Sequence, residues 1–411
     1  MNVVIVGGGL AGVRCAEALR AAAPRAAITL VGEEAHLPYE RPPLSKGVLL
    51  GTAAAQSVTV RERAAFTRDA IALRLGARAV EIDRAARVVR LSDGGRLGYD
   101  RLVLATGIRA RRLENYDIPG RLLYLRTLDD ALTLKTALRP GHRLLVVGAG
   151  YLGLECAASA RQMGCEVHVV ERKPSALHRA IAPEVGDVLV DLHRRHGVTI
   201  RAGCQVNHIR LAAAGAGHVL QAALSDGEVR EFDVALSAAG SIPNSELAEA
   251  AGLEVRDGIV VDEFGRSSDP GIFAIGDVAR HFNPVLGREV RPESWQNAQR
   301  QAVAVARIIA GGREPYADVP WFWTDQYDLN LQIVGLPERW DRVVVRGERS
   351  ARRFTALYLD DGCVVAANLV NNGRETRAAR DLVARRARVD PVAARDPRVP
   401  LASLAAERAA A

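Results

Sequence analysis

The run Gly7-Gly8-Gly9-Leu10-Ala11-Gly12 follows the apolar segment Asn2–Val6 and decides the first part of the fold. It fits the pattern G-x-G-x-x-G between a strand and a helix. In that pattern the first glycine permits a tight turn, the second lets the backbone approach a pyrophosphate, and the third lets helix and strand pack closely. A second predicted strand, residues 26–31, leads to Glu33, where an acid is expected to bind ribose hydroxyls. The sequence therefore predicts a dinucleotide site at its start.

The same plan recurs in the middle of the chain. A predicted strand, residues 143–147, leads into Gly148-Ala149-Gly150-Tyr151-Leu152-Gly153, and the next predicted strand ends at Glu171. An acid at that point accepts hydrogen bonds from a ribose 2′-hydroxyl and repels a 2′-phosphate, which favours NADH over NADPH. Arg172 and Lys173 follow directly and are able to pair with that phosphate, so NADPH stays open. Two such units predict two dinucleotides, one bound tightly and one exchanged.

The order of predicted elements defines the fold class. Strands and helices alternate for about 315 residues, and short alternating segments from Trp321 onward are typical of an antiparallel sheet, followed by a basic helix over residues 375–388. We therefore predict an α/β protein with two Rossmann-like dinucleotide-binding domains and a C-terminal α+β domain. The expected boundaries are residues 1–108 and 240–315 for a discontinuous FAD-binding domain, 109–239 for a NAD-binding domain and 316–411 for the C-terminal domain.

Composition narrows the class of partner. The 411 residues are 48% hydrophobic and 25% charged, as in globular proteins, and carry a formal net charge of +7. No apolar run approaches the roughly 20 residues of a membrane span, and no secretory leader precedes the first strand, so we expect a cytoplasmic protein without membrane contact. The arginines follow no nucleic-acid-binding motif, so a basic surface is expected to meet an acidic protein rather than nucleic acid.

Cysteine and lysine usage adds two further indications. None of the five cysteines is spaced as C-x-x-C or C-x4-C, so neither a redox disulfide nor a metal site is predicted, and buried apolar roles are expected. Only three of the 55 basic residues are lysines, Lys46, Lys135 and Lys173. A chain so committed to arginine is expected to keep lysine where a compact ammonium group is required.

Three more segments support a resemblance. They are LVLATG at residues 102–107, GSIPN at 240–244 and DPGIFAIGD at 269–277. With the two glycine runs, they make the sequence resemble the flavoprotein reductases that have two dinucleotide-binding domains. In that family the N-terminal repeat holds FAD and the internal repeat holds the nicotinamide cofactor. The resemblance implies that Asp277 binds the ribityl chain of FAD.

The absence of cysteine from one early segment helps to indicate which branch of that family the sequence resembles. Its disulfide- and peroxide-reducing members need cysteine beside the flavin, whereas the equivalent early segment here reads ERPPLSK at residues 40–46, and Cys15 lies in the first predicted helix. Electrons are therefore predicted to leave the flavin directly. RPPLSK, GYLGLE, LRTLDDA, ESWQNA and PWFWTDQYD together look like the oxygenase-coupled NADH:ferredoxin reductases of the putidaredoxin-reductase and biphenyl-dioxygenase-reductase type. Ala238 departs from that pattern, where the family often has glycine.

The resemblance implies roles for particular residues. Lys46, Arg126, Asp277 and Trp295 are expected to contact FAD, and Glu155 and Glu171 to contact NADH. Other expected cofactor contacts are Gly7, Gly9, Ala11, Gly12, Glu33, Arg41, Ala79, Gly148, Gly150, Gly153, Arg179, Gly240, Glu293 and Trp323. We also predict that Lys46 and Glu155 form a catalytic ion pair beside the flavin; the alternative is two unrelated surface charges. Trp321 and Trp323 are expected to line the flavin edge where a ferredoxin docks, with core packing as the alternative.

The predicted function is that of an FAD-dependent reductase. It is expected to take a hydride from NADH and to pass single electrons to an acidic [2Fe-2S] ferredoxin, through transient electrostatic docking. That ferredoxin would serve a monooxygenase or a ring-hydroxylating dioxygenase. A rubredoxin or monodehydroascorbate reductase, or an NADH-sensing flavoprotein resembling apoptosis-inducing factor, are the alternatives. Both a monomer and a weak homodimer remain open.

Overall fold

A computed structural model describes residues 1–113, 118–178, 181–214 and 217–404. The chain divides into two compact units. The first unit comprises Met1–Glu40, Ala55–Arg109 and Ser241–Pro320, and the second comprises Arg41–Ala54, Ala110–Gly240 and Trp321–Ala411. This division cuts the chain differently from the three predicted domains, whose boundaries stay predictions. Within the described residues, no helix combines the length and the apolar character needed to cross a bilayer.

A parallel sheet forms the centre of the first unit. Its strands lie in the order Ile272–Ala274, Arg101–Leu104, Asn2–Val6, Ala27–Gly32 and Ile71–Leu75. The central strand Asn2–Val6 is buried from its second residue, as expected for a parallel sheet covered on both faces. On one face, the helix Leu10–Ala22 packs against the helix Trp295–Ile309. Val13, Cys15 and Leu19 of the first of these helices are wholly buried there.

Shorter elements complete the first unit. One antiparallel sheet contains Ala79–Asp83, Val88–Leu91 and Arg96–Gly98, and a mixed sheet contains Ile259–Val261, Ala279–Asn283 and Arg288–Val290. The remaining described elements are the strand Ser241–Pro243, the helices Arg63–Arg68 and Glu246–Ala250, and the 3-10 turns Ala55–Val58 and Gly276–Val278. The strand Ile108–Ala110 begins in this unit and ends at the first residue of the following segment of the second unit.

The second unit repeats the parallel plan. Its parallel strands lie in the order Thr199–Ala202, Glu166–Glu171, Arg143–Val147, Val234–Ser237 and Leu122–Leu123. An antiparallel sheet adds Val206–Ala214, Gly217–Leu224 and Val229–Phe232. The helices of this part are Gly47–Leu50, Leu128–Ala137, Tyr151–Gln162 and Pro183–Arg195, with a 3-10 turn at Pro42–Ser45.

An antiparallel sheet forms the C-terminal part of the second unit. Its strands lie in the order Trp321–Gln326, Leu329–Val334, Cys363–Val370, Arg353–Asp360 and Arg342–Glu348. The helices Thr376–Ala384 and Pro391–Arg395 and the 3-10 turns Gly373–Glu375 and Leu401–Ser403 follow or flank it. The predicted fold class, two Rossmann-like units and a C-terminal antiparallel sheet, is confirmed.

The predicted extent of the basic C-terminal helix is wrong. The helix ends at Ala384 rather than at Arg388. Arg386 adopts a left-handed conformation with φ +45°, and the N–H of Ala387 donates to the carbonyl of Leu382 at 2.9 Å. This turn ends the helix, because a left-handed residue cannot continue an α-helix. The sequence did not indicate this helix end, since glycine is the usual residue at such a position and Arg386 stands there instead.

Candidate functional site

The first glycine run forms a tight turn with an open cradle, which we call the first cradle. Gly7 has φ +126°, and a Cβ atom there would lie 2.1 Å from the carbonyl oxygen of Ala105. A Cβ on Gly12 would lie 2.0 Å from the carbonyl oxygen of Gly7. Gly9 differs, since its φ is −87° and a Cβ would meet nothing within 4 Å. Gly7 and Gly12 are thus required by the fold, whereas Gly9 keeps space open at a helix N-terminus.

Three expected contact residues lie at different places in the first unit. Glu33 follows the strand Ala27–Gly32, with its side chain 70% exposed and 3.9 Å from Arg78. Ala11 is buried in the helix after the first cradle, where a Cβ on Gly276 would lie 3.0 Å from its own Cβ. Ala79 begins the strand Ala79–Asp83. The close approach of Gly276 thus gives Ala11 a structural reason for its small size.

Asp277, Glu293 and Trp295 lie near a strand end and a helix start in the same unit. Asp277 sits in the 3-10 turn Gly276–Val278, after the strand Ile272–Ala274. Arg291 connects it to Glu293, because its Nη1 donates to the Asp277 carbonyl at 3.0 Å and lies 2.5 Å from a Glu293 oxygen. Trp295 opens the helix Trp295–Ile309. One guanidinium group therefore links the backbone carbonyl of Asp277 to the carboxylate of Glu293.

The second glycine run builds a matching cradle, which we call the second cradle. Gly148 has φ +106°, and its Cβ would lie 2.7 Å from the carbonyl oxygen of Ala238. A Cβ on Gly153 would lie 2.1 Å from the carbonyl oxygen of Gly148, while one on Gly150 would again meet nothing within 4 Å. Gly150 has φ −77° and caps the helix Tyr151–Gln162 without a side-chain hydrogen bond. Ala238 lies beside this cradle, with its Cβ 3.4 Å from the position that a Cβ on Gly153 would take.

Glu171 is held in place at the end of the strand that follows the second cradle. One carboxylate oxygen accepts the N–H of Ala149 and the other accepts the N–H of Lys173, each at 2.8 Å. Ala149 lies within the glycine run itself, so the acid is tied to the cradle. A carboxylate oriented in this way is suited to accept ribose hydroxyls.

Lys46 and Glu155 form the predicted ion pair, with Lys46 Nζ 2.7 Å from Glu155 Oε2. Glu155 lies in the helix Tyr151–Gln162, and Lys46 follows the 3-10 turn Pro42–Ser45. The carboxylate is 9% exposed and the ammonium 23% exposed. A carboxylate this buried requires strong partners. The alternative of two unrelated surface charges is therefore wrong, while the catalytic role stays a prediction.

Glu155 has further partners that sequence reasoning missed. The hydroxyl of Ser45 donates to Oε2, and the hydroxyl of Thr324 donates to Oε1 at 2.7 Å. Thr324 in turn accepts from Gln326, which lies 2.8 Å from a nitrogen of His193. One signal was available in the sequence, because Thr324 and Gln326 alternate with the tryptophans of WFWTDQ and so share the opposite face of the strand.

The remaining expected contact residues of the second unit are distributed around these features. The guanidinium of Arg41 donates to the carbonyl oxygen of Arg126. Arg126 immediately precedes the capping box formed by Thr127 and Asp130. Gly240 adopts φ +104° and its carbonyl accepts from the N–H of Arg111 at 2.9 Å. Arg179 lies outside the described residues.

Trp321 and Trp323 stack on one face of the strand Trp321–Gln326. Their ring centroids lie 5.4 Å apart with an interplanar angle of 24°. Both side chains are half-buried, and each indole N–H has a polar partner, Gln332 and Asp325 respectively. The two rings are therefore partly exposed, with each indole N–H hydrogen-bonded, and are not fully packed into the core.

Two of the buried cysteines, Cys15 and Cys156, are unsuited to thiol chemistry. Burial raises the pKa of the Cys15 thiol to about 12, and burial followed by the charge of Glu155 raises the pKa of Cys156 as well. A thiol acts as a nucleophile or redox group through its thiolate. Neither residue is therefore equipped to relay electrons, in agreement with the absence of cysteine from the segment ERPPLSK.

The two cradles fit dinucleotide cofactors. Each has space that a side chain at the middle glycine would fill, and each faces a helix N-terminus without a side-chain cap. Free N–H groups and a positive dipole end at such a place bind pyrophosphate. The residues of each cradle are thus able to hold a dinucleotide, and the second cradle adds the carboxylate of Glu171.

Comparison with known proteins gives full-length matches. A family model described as pyridine nucleotide-disulphide oxidoreductase matches residues 1–302, and one described as reductase C-terminal matches residues 321–405. The ferredoxin–NAD(+) reductase component of the anthranilate 1,2-dioxygenase system of Burkholderia cepacia is 46% identical, covering 97% of this chain and 98% of that protein. Putidaredoxin reductase of Pseudomonas putida is 40% identical, covering 98% and 97%. The crystal structure of the covalent putidaredoxin reductase–putidaredoxin complex matches with a TM-score of 0.94 at 40% identity, covering 99% of each chain.

Proposed function

The chain belongs to the pyridine nucleotide-disulphide oxidoreductase family, and from this premise we propose that it is an FAD-dependent ferredoxin reductase. It takes a hydride from NADH and passes single electrons to a [2Fe-2S] ferredoxin that serves an oxygenase. The observation that carries this function is the likeness along the whole chain to reductase components of oxygenase systems. The two matching cradles supply the physical basis, since the reaction needs two dinucleotides in one protein.

The cofactor supplies the change in electron number. Bound FAD accepts two electrons as a hydride and releases them one at a time, which an iron–sulfur acceptor requires. The protein's own tasks are to hold both dinucleotides, to place charge and to exclude thiol side reactions. We assign FAD to the first cradle and NADH to the second, because Glu171 is tied to the second cradle by the N–H groups of Ala149 and Lys173.

Lys46 is proposed to stabilise the negative charge that develops when the hydride arrives. A fixed positive charge in a water-poor site is an effective way to stabilise such charge, because it needs no reorganisation during the reaction. Glu155 holds the ammonium in one place at 2.7 Å, and the two hydroxyls of Ser45 and Thr324 hold Glu155. Lys46 and Glu155 are the residues to which we assign catalytic roles.

The partner is proposed to be an acidic ferredoxin that docks transiently. The net charge of +7 favours attraction of an acidic protein, and charge complementarity chiefly accelerates encounter. The stacked Trp321 and Trp323 offer a rigid aromatic face for such a contact. Aromatic side chains of this kind are enriched where proteins associate.

Steady-state reduction of a purified [2Fe-2S] ferredoxin tests the function. NADH is expected to support the reaction, NADPH to support it less well, and the association rate to fall steeply between low and moderate salt. An unreactive ferredoxin in the presence of rapid NADH oxidation by another acceptor would remove the ferredoxin assignment and leave the flavoprotein reductase. A rate independent of salt would remove only electrostatic docking.

Two smaller parts of the proposal concern the oligomeric state of the protein and its location in the cell. We propose a monomer or a weak homodimer, which sedimentation over a range of concentrations distinguishes. We also propose a cytoplasmic location, since the reductase must draw on the NADH pool inside the cell. Fractionation of the source cell tests this, and recovery with secreted proteins would contradict it.

A further inference from the structure

Two polar side chains on one face of the strand Trp321–Gln326 are fully buried. Thr324 is 0% exposed and Gln326 is 1% exposed. Buried polar groups are costly unless each one is hydrogen-bonded. Here three side-chain hydrogen bonds join four residues in series, from His193 through Gln326 and Thr324 to Glu155. We call these four residues the Glu155 chain.

The Glu155 chain has only one consistent direction. An ionised carboxylate only accepts hydrogen bonds, so Thr324 must donate its single hydroxyl proton to Glu155 Oε1, at 2.7 Å. The Thr324 oxygen is then the acceptor for the amide nitrogen of Gln326, at 3.1 Å. This arrangement leaves the amide oxygen of Gln326 facing His193.

The direction fixes the tautomer of His193. Its Nε2 lies 2.8 Å from the Gln326 amide oxygen, which cannot donate, so Nε2 must carry the proton. Nδ1 is then a bare lone pair, and it has no hydrogen-bond partner among the described residues. A neutral ring suits this place, and burial lowers the pKa of His193. An unpartnered acceptor costs less here than an unpartnered N–H of a charged ring.

We propose that Thr324, Gln326 and His193 are positioning residues that orient Glu155 toward Lys46. The chain ends on the oxygen that Lys46 does not use, since Lys46 and Ser45 both contact Oε2. Both oxygens of the carboxylate therefore have partners, which opposes its rotation. The inference rests on the catalytic role proposed for Lys46 and Glu155, and it adds the residues that keep that pair in one geometry.

The tautomer is tested directly by nuclear magnetic resonance. Protein labelled with 15N-histidine is examined by long-range 1H–15N correlation, and the His193 signals are assigned by their loss in a His193→Asn variant. The expected result is a neutral His193 with the proton on Nε2 at neutral pH. A proton on Nδ1, or a charged ring, would overturn the direction of the chain. This readout does not depend on turnover.

The positioning role is tested with Thr324→Val, Thr324→Ser and a matched control. Thr355 lies in the same sheet, is equally buried, donates to the Glu375 carboxylate at 2.7 Å and accepts from the Asn372 amide at 2.9 Å. Thr355→Val therefore repeats the same loss away from Glu155. We expect Thr324→Val to slow the limiting rate of flavin reduction roughly tenfold with an unchanged NADH dissociation constant, as for a lost hydrogen bond to a charged group.

The variants separate positioning from stability. Thr324→Ser restores the hydroxyl and is expected to restore the rate, while Thr355→Val lowers the melting temperature as Thr324→Val does but leaves the rate unchanged. Equal rates for Thr324→Val and wild type, equal losses in Thr324→Val and Thr355→Val, or no rescue by serine would each overturn the inference. If Lys46→Met also reduces normally, the proposed role of the ion pair has failed; if Lys46→Met is slow and Thr324→Val is normal, only the positioning role has failed.

Discussion

The first and second cradles share one backbone design and differ in the side chains around it. In both, the outer glycines are required by contacts of 2.0–2.7 Å that any Cβ would make, and the middle glycine leaves open space. The helix after the first cradle buries apolar residues such as Val13 and Cys15. The helix after the second cradle instead buries Glu155, paired with Lys46.

The acids at the two cradles also differ, because the one at the second cradle is held by more partners. Glu33 is largely exposed and lies 3.9 Å from one arginine, whereas Glu171 accepts two backbone N–H groups at 2.8 Å. The two copies of the unit thus share the open cradle, and the second copy adds the pair of Lys46 and Glu155. The comparison teaches that the glycine pattern specifies the backbone of each cradle, while residues from other segments specify the charges beside it.

Filling the two cradles gives the largest expected effect. Gly9 and Gly150 both have ordinary negative φ, so valine at either position fills space without straining the backbone. Gly9→Val is expected to lose FAD, and Gly150→Val to keep FAD but to bind NADH roughly 100-fold more weakly, equivalent to about 3 kcal/mol. Flavin absorbance and NADH titration measure the two losses. Loss of FAD in Gly150→Val with FAD retained in Gly9→Val would reverse the assignment of the cradles.

Removing the charge of Lys46 tests the catalytic role of the ion pair that distinguishes the second cradle from the first. Lys46→Met is expected to slow flavin reduction by NADH roughly 100-fold while FAD stays bound, by analogy with the removal of one preorganised charge-stabilising group. Lys135→Met is the matched control, since Lys135 is an exposed lysine of the same unit. Stopped-flow absorbance under nitrogen measures both. Wild-type kinetics in Lys46→Met would remove the catalytic role of the pair.

Acid is expected to act on the first unit through His281. Burial lowers the pKa of His281 to about 4, below the value of 6.5 for a free histidine. Between these values the unfolded chain binds a proton that the folded chain does not, so stability is full above pH 6.5 and is lost progressively toward pH 4. This residue is expected to cost about 2 kcal/mol of unfolding free energy on going from pH 7 to pH 5.

A His281→Asn variant isolates that contribution. Denaturant unfolding at the two pH values is expected to show a smaller loss of stability in the variant than in the wild-type protein. His193 of the second unit also has a lowered pKa, so the variant keeps some dependence on acid. An identical pH dependence in both proteins would show that His281 is not a source of acid sensitivity.

Neutralising each acid gives the smallest expected effect and sharpens the comparison of the cradles. Glu171→Gln is expected to reduce the preference for NADH over NADPH roughly tenfold, since repulsion of a 2′-phosphate is lost. Glu33→Gln makes the same change at the first cradle and should leave that preference as it was. Ratios of kcat/KM for the two nucleotides measure it. A larger change in Glu33→Gln than in Glu171→Gln would contradict the assignment of NADH to the second cradle.

The sequence predicted those features that depend on local pattern. Both glycine runs lie between a strand and a helix, and the strands Asn2–Val6 and Arg143–Val147 have the predicted bounds. The pairing of Lys46 with Glu155 was also predictable, because lysine is rare in this chain and the surrounding segments resemble a known family. The prediction that a helix ends at Arg388 was wrong, since the left-handed residue that ends the helix is Arg386 and not the glycine usual at such a position.

The partners of Glu155 were beyond prediction for a physical reason. Thr324 and Glu155 are 169 residues apart, and Gln326 and His193 are 133 residues apart. Their hydrogen bonds exist only once the C-terminal antiparallel sheet has formed in the second unit. Alternation along WFWTDQ indicates which face each side chain takes, but it does not indicate what lies opposite that face.

Anaerobic addition of NADH followed by a [2Fe-2S] ferredoxin tests the central claim most directly. The visible spectrum is expected to show bleaching of the flavin by NADH and then reduction of two ferredoxins for each NADH consumed, since the hydride carries two electrons and each ferredoxin accepts one. Bleaching of the flavin with the ferredoxin left oxidised would contradict direct transfer from the flavin to an iron–sulfur partner.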